Sequence, residues 1–303
     1  MIRIGCSGWS YEHWRGVLYP RPGCSSSRWL EIYAQSFDTV EINATFYRLP
    51  TVKTVEGWAR RTPEDFLFAV KASRYLTHVK RLRDIVDGVK RMDACLEPLR
   101  RASKLAPILW QLPPHFPRDD DVLQSALEAL TPGRHAFEFR DPSWFAEDVY
   151  ELLRRHGAAL VVADRSPATP SPWVDTAGWS YLRFHSGRAR EGNYNARELR
   201  AWAKRLNSQT DDVFAYFNND WQGFAIANAQ TLRGLVTNAP SSAMTPSSST
   251  ASPARRDPPP ARSAPPAARR ARAASSRSRV AALPLFEAPM LSASRLANNE
   301  GRG

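Results

Sequence analysis

Along the first 240 or so residues, short runs of β-branched and aromatic residues alternate with longer stretches whose apolar positions recur every three or four. The short runs predict strands over residues 2–6, 39–43, 66–71, 107–112, 136–140, 159–163, 181–185 and 213–218. The longer stretches predict helices over 27–36, 52–61, 83–105, 121–130, 146–156, 196–206 and 225–236. Local signals mark some ends: Asn195 stands before Ala196, and Gly157 follows the stretch that ends at His156. Strand–helix alternation implies parallel strands joined by right-handed crossovers. Eight such units in this length predict a (β/α)₈ barrel of the TIM type rather than an open doubly wound sheet. No Gly-x-Gly-x-x-Gly follows the first strand, so a dinucleotide fold is not indicated.

Composition changes abruptly near Ala239. Residues 241–303 hold ten Arg, no Lys, nine Pro, three acids and one aromatic, Phe286, whereas all ten Trp lie before them. Such a segment lacks the apolar surface to offset its ordering entropy, so residues 239–303 are expected to form a disordered basic tail behind a 1–238 barrel. Residues 1–240 keep 32 of the 42 basic and 27 of the 30 acidic side chains. The formal charge of +12 therefore belongs largely to the tail and does not make the barrel a nucleic-acid reader. Any contact with nucleic acid is expected through the tail only, and a solvated tail with no dedicated partner is the preferred reading. Three cysteines (Cys6, Cys24, Cys95) without a C-x-x-C pair, and no leader-like N-terminus, lead us to expect a cytoplasmic protein. No run is long and apolar enough to span a membrane.

In a barrel of this kind the chemistry lies where strands end. Side chains alternate along a strand, so Glu41 and Asn43, Glu138 and Arg140, and Arg183 and His185 form three same-facing pairs. Their apolar neighbours Val40, Ile42, Phe137, Phe139, Leu182 and Phe184 would face the helices. The polar members therefore point into the barrel, joined by Lys71, Gln111, Asp164 and Asn218 at other strand ends. A buried ion network that merely fills the barrel is the alternative, but such networks are seldom justified by stability alone. His13, His115, His135 and His156 read as surface or loop residues, and Cys6 and Cys95 as packed thiols.

Several segments also resemble one family: GCSGWSYEHWRGVLYP (5–20), YAQSFDTVEINATFYRLP (33–50), TPEDFLFAVKASRYLTH (62–78), ILWQLPPHF (108–116), EFRDPSW (138–144), YLRFHSG (181–187) and YFNNDWQGFAIANAQTL (216–232). In order, and over residues 1 to about 236, they are similar to the DUF72, or YecE-like, proteins. The resemblance implies a TIM barrel and supplies no reaction, since the family is of unknown function. Asp141 stands where the family more often has a His, so the resemblance carries no metal or proton-shuttle role to that position.

Three chemistries suit the strand-end residues. Acid–base catalysis would use Glu138 or Glu41 as base and His185 or Lys71 as proton donor. Metal-assisted phosphoester hydrolysis would draw on Glu41, Glu138, Asp164, His185 and His78, but lacks close-spaced ligand pairs and has Lys71, Arg140 and Arg183 in the same mouth. Nucleic-acid binding without catalysis would lean on the tail. The first is favoured, with a small anionic, hydroxylated substrate resembling a sugar phosphate or nucleotide, and with no cofactor or resident metal. Candidate catalytic residues are Glu41, Lys71, Glu138 and His185. Candidate substrate contacts are Trp9, Tyr11, Asn43, Tyr47, Gln111, Arg140, Trp144, Asp164, Arg183, Arg188 and Asn218. Backbone N–H groups of residues 5–8 and of the 185–188 loop are expected to help hold the anion.

Overall fold

A computed structural model of the chain describes residues 1–165 and 171–237. The expected tail at 239–303 lies outside them. The described residues form a parallel barrel of eight strands: β1 (Ile2–Cys6), β2 (Thr39–Ile42), β3 (Leu67–Lys71), β4 (Leu105–Gln111), β5 (His135–Glu138), β6 (Ala159–Asp164), β7 (Trp179–Phe184) and β8 (Asp212–Phe217). Each strand is laddered to its sequence neighbours from β2 round to β8, and β8 returns to β1. Around it run α1 (Trp29–Ser36), α2 (Ala44–Tyr47), α3 (Val52–Arg60), α4 (Val86–Arg101), α5 (Asp120–Glu128), α6 (Glu147–Arg155), α7 (Ala196–Asn207) and α8 (Phe224–Thr237). No described helix is long and apolar enough to cross a membrane.

The predicted strands and most helices match these elements to within a few residues, because the 2.0 and 3.6 periods are read directly from one buried face. Both predicted helix ends are present: Asn195 Oδ1 accepts from the N–H of Arg197 and Glu198 at 2.9 and 3.0 Å, and Gly157 stops α6 at φ +60°. The helix expected from 83 begins instead at Val86. Ahead of it Tyr75–Val79 form a π-helical turn, and Arg81, Leu82 and Asp84 are left-handed, which buries Leu82 but cannot continue a helix. The short α2 was not anticipated. One turn is too brief to show a period.

Two sets of side chains fill the molecule. Outward residues of the strands (Val40, Ile42, Phe68, Val70, Phe137, Leu182, Phe184, Phe217) pack under the helices. Inward residues stack in layers along the barrel axis. On β7 and β8 these run Trp179 and Phe214, then Tyr181 and Tyr216 with rings 5.3 Å apart, then Arg183, then His185 and Asn218 at the rim. The core is thus apolar at the bottom and polar at the top.

Barrel closure between β1 and β2 is narrow. A single bridge joins Ser7 to Glu41, with Gly8 N–H donating to the Glu41 carbonyl at 2.8 Å. Below it the Tyr33 hydroxyl of α1 is spliced into the seam, accepting from Cys6 N–H at 2.8 Å and donating to the Thr39 carbonyl at 3.0 Å. Gly5 is required here, because a Cβ would meet the Thr39 carbonyl oxygen at 2.2 Å. Tyr33→Phe would leave a buried donor and acceptor unpaired, which costs about 1–3 kcal/mol. We expect its melting temperature to drop by several degrees, and Gly5→Ala to fall further, in thermal unfolding followed by circular dichroism. A Tyr33→Phe variant as stable as the parent would show that the seam does not depend on the hydroxyl.

Candidate active site

The inward positions at the C-terminal ends of the strands build one polar cluster, and Arg183 is its centre. Its Nε and Nη2 donate to Glu41 Oε2 and Oε1 at 2.9 and 2.7 Å, while Nη1 donates to Glu138 Oε2 at 2.7 Å. All three side chains are buried. Glu41 is saturated, since Ser7 Oγ also donates to Oε1 at 2.6 Å and Tyr181 OH to Oε2 at 2.7 Å. Burial pushes the Glu41 carboxyl up, but the Arg183 charge and the donated hydrogen bonds prevail and hold it below its ordinary value. Glu41 is therefore an anchored anion beneath the mouth with no oxygen left for a substrate.

Glu138 is paired with arginine through both oxygens. Oε2 also accepts from Gln111 Nε2 at 2.9 Å, whereas Oε1 faces the Arg165 guanidinium and lies 3.3 Å from His185 Nε2 without a directed hydrogen bond. His185 Nδ1 sits 3.2 Å from Asn218 Nδ2. With that amide donating, the ring proton is on Nε2, turned toward Glu138. Burial, then the Arg183 and Arg165 charges, hold the His185 imidazole well below its ordinary value, so it is neutral at pH 7. As a proton donor it would act through a neutral N–H, not as an imidazolium.

Lys71 is placed differently from the molecule's other buried cations. Its Nζ lies 4.1 Å above the Phe46 ring and, among the described residues, has no ion pair and no hydrogen-bond acceptor. Burial first, then Arg183, lower its ammonium from 10.5 to about 7, partly opposed by Glu41. Arg140 reaches the exposed rim, also without a carboxylate partner among the described residues, and burial with the nearby Arg183 lowers it too. The Asn43 side-chain oxygen, Oδ1, is buried without a hydrogen bond.

Other expected residues lie elsewhere. Asp164 points outward, because β6 alternates Ala159, Val161 and Ala163 inward; its carboxylate accepts from Trp202 Nε1 of α7 at 3.1 Å. The inward residue is its neighbour Arg165, which burial and Arg183 lower to about 10. Trp144 is wholly buried, its indole donating to the Phe116 carbonyl at 2.7 Å and stacked 4.7 Å from Phe139. Trp9 packs edge-on to Trp58 and Phe68 on the helix side, whereas the Tyr11 hydroxyl, which donates to the Ser7 carbonyl at 2.8 Å, stays beside the cluster next to the Asn43 side chain. Tyr47 is 81% exposed on α2, and the Arg188 side chain is exposed 4.0 Å from Glu198.

The backbone amides expected to cradle an anion are engaged. Ser7 N–H donates to Phe217 O, Gly8 to Glu41 O, His185 to Asp164 O and Gly187 to Gly192 O, all within 2.9 Å. Asp141 caps the turn Pro142–Trp144, accepting from Ser143 N–H and Oγ at 3.0 and 2.7 Å. His135 is not a surface residue. It lies buried in β5 between Trp110 Nε1 at 3.1 Å and the Thr131 carbonyl at 2.8 Å. Among the described residues no three His, Cys, Asp or Glu side chains come together as a metal would need, because Arg183 stands between Glu41 and Glu138 and Asp164 faces away. Sequence reasoning also passed over Ser7, Tyr181 and Arg165, all three inward by the same alternation that gave the rest.

Eight parallel strands around a charged C-terminal mouth define an α/β barrel of the TIM class, with the polar cluster where such barrels carry their chemistry. The chain belongs to the DUF72 family, described as "Protein of unknown function DUF72", which matches residues 3–253. It is 32% identical over 277 residues to the UPF0759 protein YunF of Bacillus subtilis, covering 78% of this chain and 95% of YunF. It is 36% identical over 179 residues to the UPF0759 protein YecE of Escherichia coli K12, covering 55% of this chain and 60% of YecE. Among solved structures, a DUF72 protein of Thermotoga maritima aligns with TM-score 0.71 and 30% identity, over 78% of this chain and all of that one. A DUF72 protein of Enterococcus faecalis aligns with TM-score 0.68 and 21% identity, over 80% of this chain and 97% of that one, and shares the fold.

Glu41 gives the cluster a definite pH signature. Its folded value lies below the ordinary 4.5, so its contribution to stability is complete above 4.5 and fades as pH falls through the lower folded value. Arg183→Met would strand two buried carboxylates, and removing one partner of a buried pair costs about 3–5 kcal/mol. Urea unfolding should show a deficit of that order at pH 7 that shrinks toward pH 4.5, where the freed Glu41 takes up a proton. A deficit that stays constant between the two would argue against an electrostatic clamp.

Proposed function

We propose that the barrel is an enzyme that binds a small anionic, hydroxylated molecule of the sugar-phosphate or nucleotide kind at its C-terminal mouth and performs acid–base chemistry on it. Uncompensated positive charge carries this reading. Four cations (Lys71, Arg140, Arg165, Arg183) converge with two carboxylates (Glu41, Glu138), and Glu41 is already saturated. Arg140 and Arg165 would hold the anionic group. Asn43 and Asn218 would orient hydroxyls, and Glu138 Oε1, paired with Arg165 until that guanidinium takes the anion, would accept a proton, with Lys71 as the group that gives or takes one near neutral pH. Lys71 suits that task because its ammonium and amine forms coexist at about pH 7. The dispersed placement of ligand-type side chains gives metal-assisted hydrolysis less support.

Sulfate, which stays a dianion across the useful pH range, tests the anion site. Calorimetry on the full chain should show binding that weakens roughly tenfold or more in Arg140→Ala, as loss of a charged hydrogen bond does. Binding should also fall from pH 6 to pH 8 as Lys71 loses its proton, and Lys71→Met should flatten that dependence. Sulfate that does not bind, or binds Arg140→Ala equally well, removes the proposal.

Catalysis has its own test. For the sugar phosphate or nucleotide that displaces sulfate and is turned over, Glu138→Gln should cut the rate about 100-fold or more while the protein stays folded. Full turnover in that variant would take Glu138 off the reacting atoms.

A further inference from the structure

Half-buried Lys71 invites comparison with Lys104, a buried lysine. Lys104 Nζ donates to the Ala59 carbonyl at 2.7 Å, the Thr62 carbonyl at 2.8 Å and Thr62 Oγ1 at 3.1 Å. That is how a structural lysine is satisfied: three donors, three oxygens. Lys71 Nζ has none of these among the described residues and rests only on the face of Phe46 at 4.1 Å. Its backbone, by contrast, is fixed, since the Thr45 hydroxyl of α2 donates to the Lys71 carbonyl at 2.7 Å. Phe46, on the same turn, is held edge-on by His78 at 5.0 Å. The backbone is held, and the amine has no hydrogen-bond acceptor among the described residues.

The carboxylates that would normally take such an amine are committed to arginine, Glu41 to Arg183 and Glu138 to Arg183 and Arg165. We infer that Lys71 is a nucleophile that forms an imine with the carbonyl carbon of a small aldehyde or ketone bearing an anionic group. This rests on the proposed anion site and narrows its substrate to carbonyl compounds, open-chain sugar phosphates among them. The lowered ammonium value agrees with it, because an amine must be neutral to attack.

In the step itself the Nζ lone pair forms a C–N bond while the carbonyl π pair moves to oxygen. Nitrogen gives its two protons in turn to the departing oxygen through solvent in the mouth. The C–O bond breaks, water leaves, and the product is a C=N bond to Lys71. No oxidant or reductant is consumed.

The probe is pyridoxal 5′-phosphate, an aldehyde with a phosphate, on the full chain. Borohydride then delivers hydride to any imine carbon and leaves a stable secondary amine. The chain has six lysines, and Lys53, Lys90 and Lys204 are exposed, so peptide mapping contains its own reference. Labelling should favour Lys71 at least tenfold over those three, be suppressed by sulfate, and vanish from that peptide in Lys71→Arg. Labelling of Lys71 no greater than that of the exposed lysines, or indifferent to sulfate, overturns the imine. If sulfate still binds the parent and still binds Arg140→Ala more weakly, the anion site survives that result. Absence of sulfate binding overturns both.

Discussion

The structure depends most on one guanidinium shared between two buried carboxylates. Arg183 stands on β7 and reaches Glu41 on β2 and Glu138 on β5, strands far apart around the ring. Either carboxylate alone at that depth would be driven to protonate. With Arg183 between them Glu41 is held below its ordinary value despite burial, and the oxygens of both are fixed to within hydrogen-bond geometry by Ser7, Tyr181 and Gln111. The same clamp sets the charge of everything above it. Because it uses up the negative groups, Lys71 and Arg140 have no partners among the described residues, and burial, then the field of Arg183, lowers both.

Closure of the barrel and construction of the cluster are one event. Ser7 and Glu41 form the backbone bridge that joins β1 to β2, and the Ser7 hydroxyl then donates to the Glu41 carboxylate. Tyr33 completes the seam from the helix side, one layer below. A strand pair held by so few backbone bonds is the weakest join in the ring, and the side chains that reinforce it are those that orient the site. Substitutions at the seam therefore reach Glu41 without touching it.

Much of this was legible in alternation. Three same-facing pairs placed Glu41, Glu138, Arg140, Arg183 and His185 in one cluster, because an inward position on a barrel strand has no other destination. Asp164 failed for the same reason turned round: it was chosen for its chemistry, against the parity of Ala159, Val161 and Ala163, and the inward residue is Arg165. Hydropathy also misled at Trp144 and His135. Both are buried and satisfied by partners distant in sequence (Phe116, Trp110 and Thr131), which no local pattern announces. The left-handed run before α4 and the single turn of α2 escape for want of a period, yet α2 carries Phe46, on which Lys71 rests.

A buried ion network does not by itself mean function, since such pairs often add little net stability and can simply fill space. What separates the two roles here is how completely each group is satisfied. Glu41, with four donors on two oxygens, is what a purely structural network looks like. One layer up, satisfaction is incomplete at several atoms together: Glu138 Oε1 has only its ion pair with Arg165, and His185 Nε2, Asn43 Oδ1 and Lys71 Nζ have no hydrogen-bond partner among the described residues. Unmet buried polar atoms cost free energy, and a cluster of them at the open end of a barrel persists when a ligand meets them for part of the time. The boundary between scaffold and site therefore runs through the cluster itself, between the saturated Glu41 and the layer of His185, Asn43 and Lys71 above it.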